Sequence, residues 1–470
     1  MLFSDIKNIL SDAKIVGKLP KKKIRFITDH SDEVDDNTLL VIKKSNNFKL
    51  SYIKEAISKD LTAIITNSYI KYASITQIIV KDLDKELAKL IKIRQPFQPK
   101  KSIAITGTNG KTSTTWFLAQ ICKKNKISTK LTGTLGYFKD LKKIKDSKLT
   151  TPSNLNLYQF AYSNKKNKIH FICEASSHGL HQGRFNYLNV DIAAITNLSH
   201  DHLDYHNNFK SYVESKFLLF TQILKTNGIA VVNSRLKNYK RLKKILLTKK
   251  IKIITYGSKD VFFDTEINTN LFVFNKKYKI KNLYLNNIQK QNLECAIACA
   301  LAMNISLIKI IKSLDKLKSA PGRFEVINYT KKSSKIIIDY AHTPEAIKYL
   351  LKSYSNKKLK PSIVFGCGGD RDKDKRRKMA LIAEKYAKKI YITDDNPRNE
   401  NPASIRKTIK KYCTKGIEIS NRRKAIHTAI SQIGNNDILI IAGKGHEKFQ
   451  IIKNKKIKFD DYNVAKKFIR

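Results

Sequence analysis

The run from Ser102 to Trp116, SIAITGTNGKTSTTW, limits what this chain can fold into more than any other stretch. Ser102 to Thr106 reads as a short buried strand, Gly107 to Gly110 as a tight turn, and Lys111 onward as the opening of a helix. Glycines at 107 and 110 let the backbone curl until several N–H groups point inward, and a helix N-terminus adds partial positive charge where a polyphosphate would sit. In that arrangement Lys111 reaches the terminal phosphates and Thr112 a magnesium ion. The longer phosphate-loop pattern has a glycine where this chain has Ile105, so the spacing is the shorter G-x-x-G-K-T. An ordinary glycine turn shares that spacing; the strand before it and the helix after it argue for phosphate binding.

The rest of the chain supplies a fold around this loop. With 470 residues there is room for about three domains and substantial cores. Residues 1–97 carry mixed strand and helix signals, such as LLVIK at 39–43 and LTAIITNS at 61–68, and end in the proline-marked stretch Arg94 to Lys101. In this first unit His30, Ser31 and Asp32 precede a strand, and Asn46 and Asn47 fall in the next loop; by themselves they read as turn formers. Residues 98–322 open with the phosphate loop and alternate strands with helices, a doubly wound α/β pattern. Residues 323–470 repeat that rhythm with the strands KIIID, SIVFG, KKIYIT and DILIIAG.

Strand ends then point to chemistry. Ile169 to Cys173 delivers Glu174 and SSHGLHQGR, and Val190 to Thr196 delivers NLSHDHLDYH, both at the carboxyl edge where such sheets hold ligands. Glu174 and His202 are therefore candidates to hold a divalent cation near the phosphate loop, although magnesium prefers oxygen and either residue alone also reads as a hydrogen-bonded loop side chain. The helix FKSYVESKFLLF carries Lys216 among apolar neighbours, where burial would lower its pKa and make the neutral amine available; on a lysine-rich chain a solvated side chain is the competing reading. In the last unit each strand ends in a polar cluster: DYAHTP at 339–344, GCGGDRDKDKR at 366–376, DDNPR at 394–398 and AGKGHE at 442–447. Four such clusters describe a binding face.

Composition excludes several classes. Six cysteines without a CxxC pair are no disulfide framework and indicate reduced thiols. No apolar run approaches the roughly 18 residues needed to cross a bilayer, and Asp5 interrupts any signal peptide, so a soluble cytoplasmic protein is expected. The formal charge of +53 suggests a polyanion partner. Because Lys, Ile and Asn are abundant in every segment, as codon drift in an AT-rich genome would produce, no specific nucleic-acid partner is expected. A nucleic-acid-binding ATPase remains the rival from another class.

Taken together, GTNGKT, TTPS at 150–153, EASSHGLHQGR, TNLSHDHLDYH with YVESK, APGRFE, DYAHTP, FGCGGDRDKDKR, DDNPR and AGKGHE closely resemble the Mur ligases of peptidoglycan synthesis. The resemblance covers almost the whole chain. It implies three domains, 1–97 for the UDP end of a substrate, 98–322 for ATP and 323–470 for an incoming amino acid; separately, a monomer with no membrane insertion is expected. It implies an ADP-forming amide ligase that activates UDP-N-acetylmuramoyl-L-alanyl-D-glutamate as an acyl phosphate and joins it to meso-diaminopimelate, with L-lysine as the alternative amino acid. A folylpolyglutamate synthase would lack the first domain, and the ligase that adds D-alanyl-D-alanine would not carry DDNPR or GKGHE.

Carried over residue by residue, the resemblance gives Thr106, Gly107, Thr108, Asn109, Gly110, Lys111 and Thr112 to ATP, with Gln289, Asn292, Arg323 and Asp339. Lys111, Glu174, His202 and Lys216 become catalytic, and Thr112, Glu174, His202 and Lys216 the Mg2+ shell, with Lys216 carbamylated so that a cation becomes an anion bearing oxygen ligands. Ser31, Asn109, Thr150, Thr151, Ser176, Gln182 and Arg184 would hold the UDP-muramoyl dipeptide. Arg371, Asp395, Asn396, Pro397, Arg398, Gly443 and Glu447 would hold diaminopimelate. Two departures stand out: His30-Ser31-Asp32 replaces the family's Asp-Ser-Arg, and Gln289 replaces an asparagine near the adenine, with Asn292 retained.

Overall fold

The computed structural model of the chain describes residues 1–44, 49–71, 73–163, 168–199, 201–264, 269–280, 285–315, 317–355 and 359–469, so Asn46 and Asn47 lie outside the described residues. It divides into two compact units, Met1–Lys281 with Glu294–Asp315, and Asn282–Leu293 with Lys316–Arg470.

The first unit holds two sheets. The smaller has the order Lys14–Val16, Thr76–Ile79, Ala63–Thr66, Thr38–Ile42, Phe26–Thr28; the last four strands run parallel and the first is antiparallel to its neighbour. Thr38–Ile42 and Ala63–Thr66 are buried along their whole length. That is why they read as continuous apolar runs and not as alternating ones.

The larger sheet has eleven strands, and the strand Ser102–Thr106 lies inside it, flanked in parallel by His170–Glu174 and Val190–Ile195. From Ser102–Thr106 the chain passes through the helix Lys111–Lys124 to Thr129–Gly133, returns to His170–Glu174 in between, and then crosses to Val190–Ile195 on the far side. Strand order therefore reverses at Ser102–Thr106, and in open α/β sheets a crevice forms at the carboxyl ends of such strands. Both outermost strands are lysine-rich, Lys142–Lys145 (KKIK) at one edge and Lys276–Lys279 (KKYK) at the other. Lysines on an edge strand oppose pairing with another chain, one local consequence of the basic composition.

In the second unit a six-stranded sheet runs Glu325–Tyr329, Ser334–Asp339, Ile438–Ala442, Ser362–Phe365, Ile390–Ile392, Ile417–Glu418, parallel except for its first hairpin. Alternate residues divide between two cores. Ile337, Ile363, Phe365, Ile390, Ile392 and Ile440 pack with the helices Pro344–Ser353, Asp374–Tyr386 and Pro402–Lys411, while Ile336, Ile338, Val364, Tyr391, Leu439 and Ile441 pack with Arg422–Ser431 and Asp461–Phe468. A strand that is apolar on both faces requires helices on both faces. The α/β class and the doubly wound pattern are thus as the sequence implied, and KIIID, SIVFG, KKIYIT and DILIIAG all form strands. A small hairpin, Phe449–Ile452 with Lys455–Lys458, follows the last of them.

One element departs from the expected form. The α-helix bearing Lys216 spans Phe209–Leu218 and continues over Leu219–Ile223 as a π-helical turn, so FKSYVESKFLLF is not one regular amphipathic helix. Leu219 and Phe220 are buried in that turn, and such single π-helical turns inside α-helices are often found at functional sites. Among the described residues no helix is long and apolar enough to cross a membrane, and all six cysteines are buried and unpaired.

Candidate active site

Gly107 has φ +138° and Gly110 φ +87°, backbone that favours glycine, and a Cβ on Gly107 would stand 1.9 Å from Thr196 Oγ1. The loop after Val190–Ile195 clamps the phosphate loop from that side. Asn109 N–H donates to Asn197 Oδ1 (2.9 Å), Asn197 Nδ2 donates to the Asn109 carbonyl (3.0 Å), and Thr108 N–H donates to the Asn197 carbonyl (2.9 Å). Thr108 Oγ1 also lies 2.9 Å from Tyr212 Oη, on the Lys216 helix.

Two ammonium groups meet at one carbonyl. Lys111 Nζ donates to Gly107 O at 2.7 Å and to Thr108 O at 2.9 Å, and Lys216 Nζ donates to the same Gly107 O at 3.0 Å. Lys216 is 1 % exposed, with its ammonium 4.5 Å from the centre of the Tyr212 ring. Burial, reinforced by Lys111, drives its pKa well below the ordinary lysine value. Among the described residues no carboxylate lies within ion-pair distance of it.

Glu174, the last residue of its strand and 1 % exposed, joins two groups of predicted residues. Its Oε1 and Oε2 accept from Thr112 Oγ1, both at 3.0 Å. Thr134 donates to it twice, from its N–H to Oε1 (2.9 Å) and from its hydroxyl to Oε2 (3.0 Å). Thr134 Oγ1 in turn lies 3.2 Å from Thr150 Oγ1. Glu174's own carbonyl accepts from Thr151 Oγ1 (2.8 Å), which accepts from Ser176 N–H (2.9 Å). Arg184 Nη1 donates to Thr151 O (2.5 Å) and Arg184 Nε to Gln182 Oε1 (3.1 Å). Thr150, Thr151, Ser176, Gln182 and Arg184 therefore form one network with Glu174.

His202 is placed differently. It has φ +53°, stands 3.5 Å from Asp201 Oδ2 through Nε2, and packs edge-on to His178 with ring centres 4.8 Å apart. Ser31 lies in the turn beyond Phe26–Thr28. That strand is tied to the helix Asn154–Tyr162 by Gln159 Nε2 donating to Ile27 O (2.8 Å) and by Asn156 Nδ2 donating to Asp29 (3.0 Å). A cavity of about 650 Å3 lined by Thr28, Asp32, Arg94, Asn156 and Gln159 opens beside this turn.

Within the second unit Asp339 ends its strand and accepts from Phe324 N–H and Ala341 N–H, each at 2.8 Å. Burial raises its pKa, opposed by Arg323 and by these two donors. Arg323 stacks over Tyr340 at 4.3 Å. Gln289 Nε2 donates to Ser319 Oγ and its Oε1 accepts from Asn286 N–H (3.3 Å), so the amide is held by protein groups; Asn292 is buried nearby on the same helix, Asn287–Ala302.

The last predicted group converges fully in that unit. Arg398, at φ +50°, donates from Nη1 to Gly369 O (2.9 Å), and a Cβ on Gly368 would stand 2.8 Å from that Nη1 and 3.9 Å from Arg371 Cγ. Pro397 O packs on Gly369, and Gly443, φ +111°, leaves space that a Cβ would fill 2.5 Å from Asp395 Oδ2. Asn396 Nδ2 donates to Glu447 Oε2 at 2.8 Å. Arg371, Asp395, Asn396, Pro397, Arg398, Gly443 and Glu447 thus sit on three adjoining loops.

Thr134 and Lys444 were not among the residues singled out from sequence. Thr134 follows Thr129–Gly133, and its strand end could have been flagged by the carboxyl-edge rule. Lys444 Nζ donates to Asn396 Oδ1 and Glu447 Oε2, both at 3.0 Å.

Residues 105–305 match the Mur ligase middle domain, and residues 322–445 match the Mur ligase, glutamate ligase domain. The UDP-N-acetylmuramoyl-L-alanyl-D-glutamate–2,6-diaminopimelate ligase of Rickettsia montanensis is 38 % identical over 465 residues, covering 95 % of this chain and 96 % of that protein. A solved structure of a ligase with the same name has a TM-score of 0.65 at 28 % identity, covering 100 % of this chain and 98 % of that one. The MurF ligase of Thermotoga maritima in complex with ADP has a TM-score of 0.66 at 19 % identity, over 95 % of this chain and 97 % of that one, a likeness of fold alone. The chain belongs to the Mur ligase family.

Proposed function

We propose that this chain is an ATP-dependent, ADP-forming amide ligase that joins meso-diaminopimelate to UDP-N-acetylmuramoyl-L-alanyl-D-glutamate, a step of peptidoglycan precursor synthesis carried out in the cytoplasm. The observation that carries the reaction is Glu174, bonded on one side to Thr112 of the phosphate loop and on the other to the Thr134, Thr150 and Thr151 network. One strand end thus serves both a phosphate-binding loop and the residues assigned to the acceptor. The names of the full-length relatives supply the substrates, and favour diaminopimelate over lysine.

A carboxylate is a poor electrophile, so the acceptor's terminal carboxylate first takes the γ-phosphoryl group of ATP, releasing ADP. The amine then displaces phosphate from the acyl phosphate and loses a proton. Lys111 and the helix N-terminus stabilise the transferring phosphoryl charge, and the bound site keeps water from the acyl phosphate. Thr106 to Thr112, with Gln289, Asn292, Arg323 and Asp339, bind ATP. Ser31, Asn109, Thr150, Thr151, Ser176, Gln182 and Arg184 bind the UDP-muramoyl dipeptide, and three domains, 1–97, 98–322 and 323–470, divide these tasks.

The oxygens of Thr112 and Glu174 fit magnesium, which takes hard oxygen donors, with His202 and a modified Lys216 completing the set. Mg2+ there would neutralise phosphate charge. Lys216 does not fit that role as an ammonium. Crowded onto one carbonyl with Lys111, its neutral amine adds CO2 and releases a proton, giving a carbamate anion.

The experiment is phosphate release from ATP with the UDP-linked dipeptide and a panel of amino acids. Release that requires both the dipeptide and meso-diaminopimelate is expected. Release stimulated by nucleic acid without the dipeptide would overturn the proposal in favour of a nucleic-acid-dependent ATPase.

A further inference from the structure

Lys444 is 0 % exposed, yet it is a lysine in a chain whose other lysines mostly face water. An ammonium has three protons, and here three acceptors take them: Asn396 Oδ1 at 3.0 Å, Glu447 Oε2 at 3.0 Å and the Phe449 carbonyl at 2.6 Å. Asn396 is equally committed. Its Oδ1 also accepts from Ile451 N–H (3.0 Å) and its Nδ2 donates to Glu447 Oε2 (2.8 Å), so the amide has one orientation only. Two donors, Lys444 and Asn396, therefore fix Oε2 of Glu447 and leave Oε1 to accept from a ligand.

The same lysine binds together the loops that carry the amino-acid site. Phe449 and Ile451 belong to the strand Phe449–Ile452, which is also stitched to Arg398: Arg398 N–H donates to Ile451 O (3.0 Å) and Lys453 N–H donates to Arg398 O (2.7 Å). Removing the Lys444 charge would leave Glu447 without its buried counter-charge and Asn396 Oδ1 with one donor fewer.

We propose that Lys444 is a positioning residue for the amino-acid substrate, holding Glu447 so that Oε1 receives the ammonium at the far end of the diamino acid. This rests on the diaminopimelate reading above. Lys444 touches no reacting atom; it acts through Glu447 and Asn396.

The test is steady-state kinetics of Lys444→Met with two amino acids: meso-diaminopimelate, and 2-aminopimelate, which keeps the distal carboxylate but lacks the distal amine. KM for meso-diaminopimelate should rise about tenfold to a hundredfold, the range for losing a hydrogen bond to a charged group. KM for ATP and for the UDP-linked dipeptide, and kcat at saturation, should stay within about twofold of wild type by the same reasoning. The penalty should vanish with 2-aminopimelate. An unchanged KM for meso-diaminopimelate overturns the proposal, as does an equal penalty with both amino acids, which would mark a purely structural lysine. Should Lys444→Met not fold, Lys444→Gln removes the charge and keeps a hydrogen-bond donor; the same pattern at smaller size supports the proposal, and its absence overturns it. If wild type ignores meso-diaminopimelate altogether, the functional reading has failed instead, and the two failures are distinct.

Discussion

Lys111 and Lys216 donate to the same carbonyl oxygen, that of Gly107, at 2.7 and 3.0 Å. Two ammonium groups sharing one acceptor in a buried setting repel each other, and Lys216 carries the greater burden because it has no other acceptor among the described residues. Conversion of Lys216 to the carbamate proposed above would remove the repulsion and supply an anion beside the phosphate loop.

Lys216→Ala should therefore lower ligation by about 10²–10³-fold or more, the scale for losing a main electrostatic group at a reacting centre. Short carboxylates such as formate or acetate should restore part of the activity by occupying the carbamate's place. Phosphate release with and without added carboxylate checks this; full activity in the unrescued variant would sink the role.

Thr134 gives Glu174 two hydrogen bonds, and Thr134→Val removes the one from the hydroxyl while keeping the one from the backbone N–H, so it should loosen a residue assigned to magnesium without touching the phosphate loop. Activity should fall roughly ten- to a hundredfold, as for partners that orient metal ligands, and the magnesium concentration for half-maximal rate should rise. Thr134→Ser, which keeps the hydroxyl, should lie close to wild type. Titration of activity with magnesium distinguishes this from a general loss of stability.

His170 is 4 % exposed on its strand, and burial, with Lys100 and Lys101 nearby, lowers its pKa to about 4, while Asp191 opposes the shift. An unfolded histidine titrates near 6.5, so between those values the unfolded chain binds the extra proton and stability falls as pH falls. The loss should be complete only below about pH 4 and amount to roughly 3 kcal/mol. Urea unfolding of wild type and His170→Phe at pH 7.5 and pH 5 should show a smaller decline in the variant. Parallel declines in the two proteins would remove His170 as the cause.

Much of the fold was legible because its signals are local. A strand, two glycines and a helix start stand in fifteen consecutive residues, and the positive φ of Gly107 and Gly110 is what those glycines are for. The four cluster-bearing strands of the second unit read as apolar runs because both faces are covered. Thr134 was legible only as a strand-end residue; its pairing with Glu174 was not, since the two are neighbours only through the order Ser102–Thr106, His170–Glu174, Thr129–Gly133, which is not the order of the chain. Lys444 was hidden by composition: among 92 lysines and arginines, one buried ammonium with three acceptors looks like any surface lysine. The full burial of Lys216 was partly visible in its apolar neighbours, but the shared carbonyl was not.

Arg398 is expected to decide which diamino acid is taken. Its backbone is pinned on both sides, N–H to Ile451 O and O from Lys453 N–H, and its Nη1 is held by Gly369 O at 2.9 Å and Asn396 O at 3.4 Å. Among the described residues Nε and Nη2 donate to no protein acceptor, which leaves two parallel N–H groups of the planar fork for a carboxylate. meso-Diaminopimelate carries that distal carboxylate beside its ammonium and lysine does not. With lysine bound, the fork would stay unpaired at a cost of roughly 1–3 kcal/mol. Wild type should therefore prefer meso-diaminopimelate over lysine by more than about tenfold in kcat/KM, and up to about a thousandfold. Arg398→Ala should remove most of that preference, by weakening meso-diaminopimelate and leaving lysine nearly unchanged. Measuring kcat/KM for both amino acids on both proteins checks it: a wild type that uses lysine equally well, or a variant that keeps the original preference, would show that Arg398 does no more than shape the loop after Ile390–Ile392.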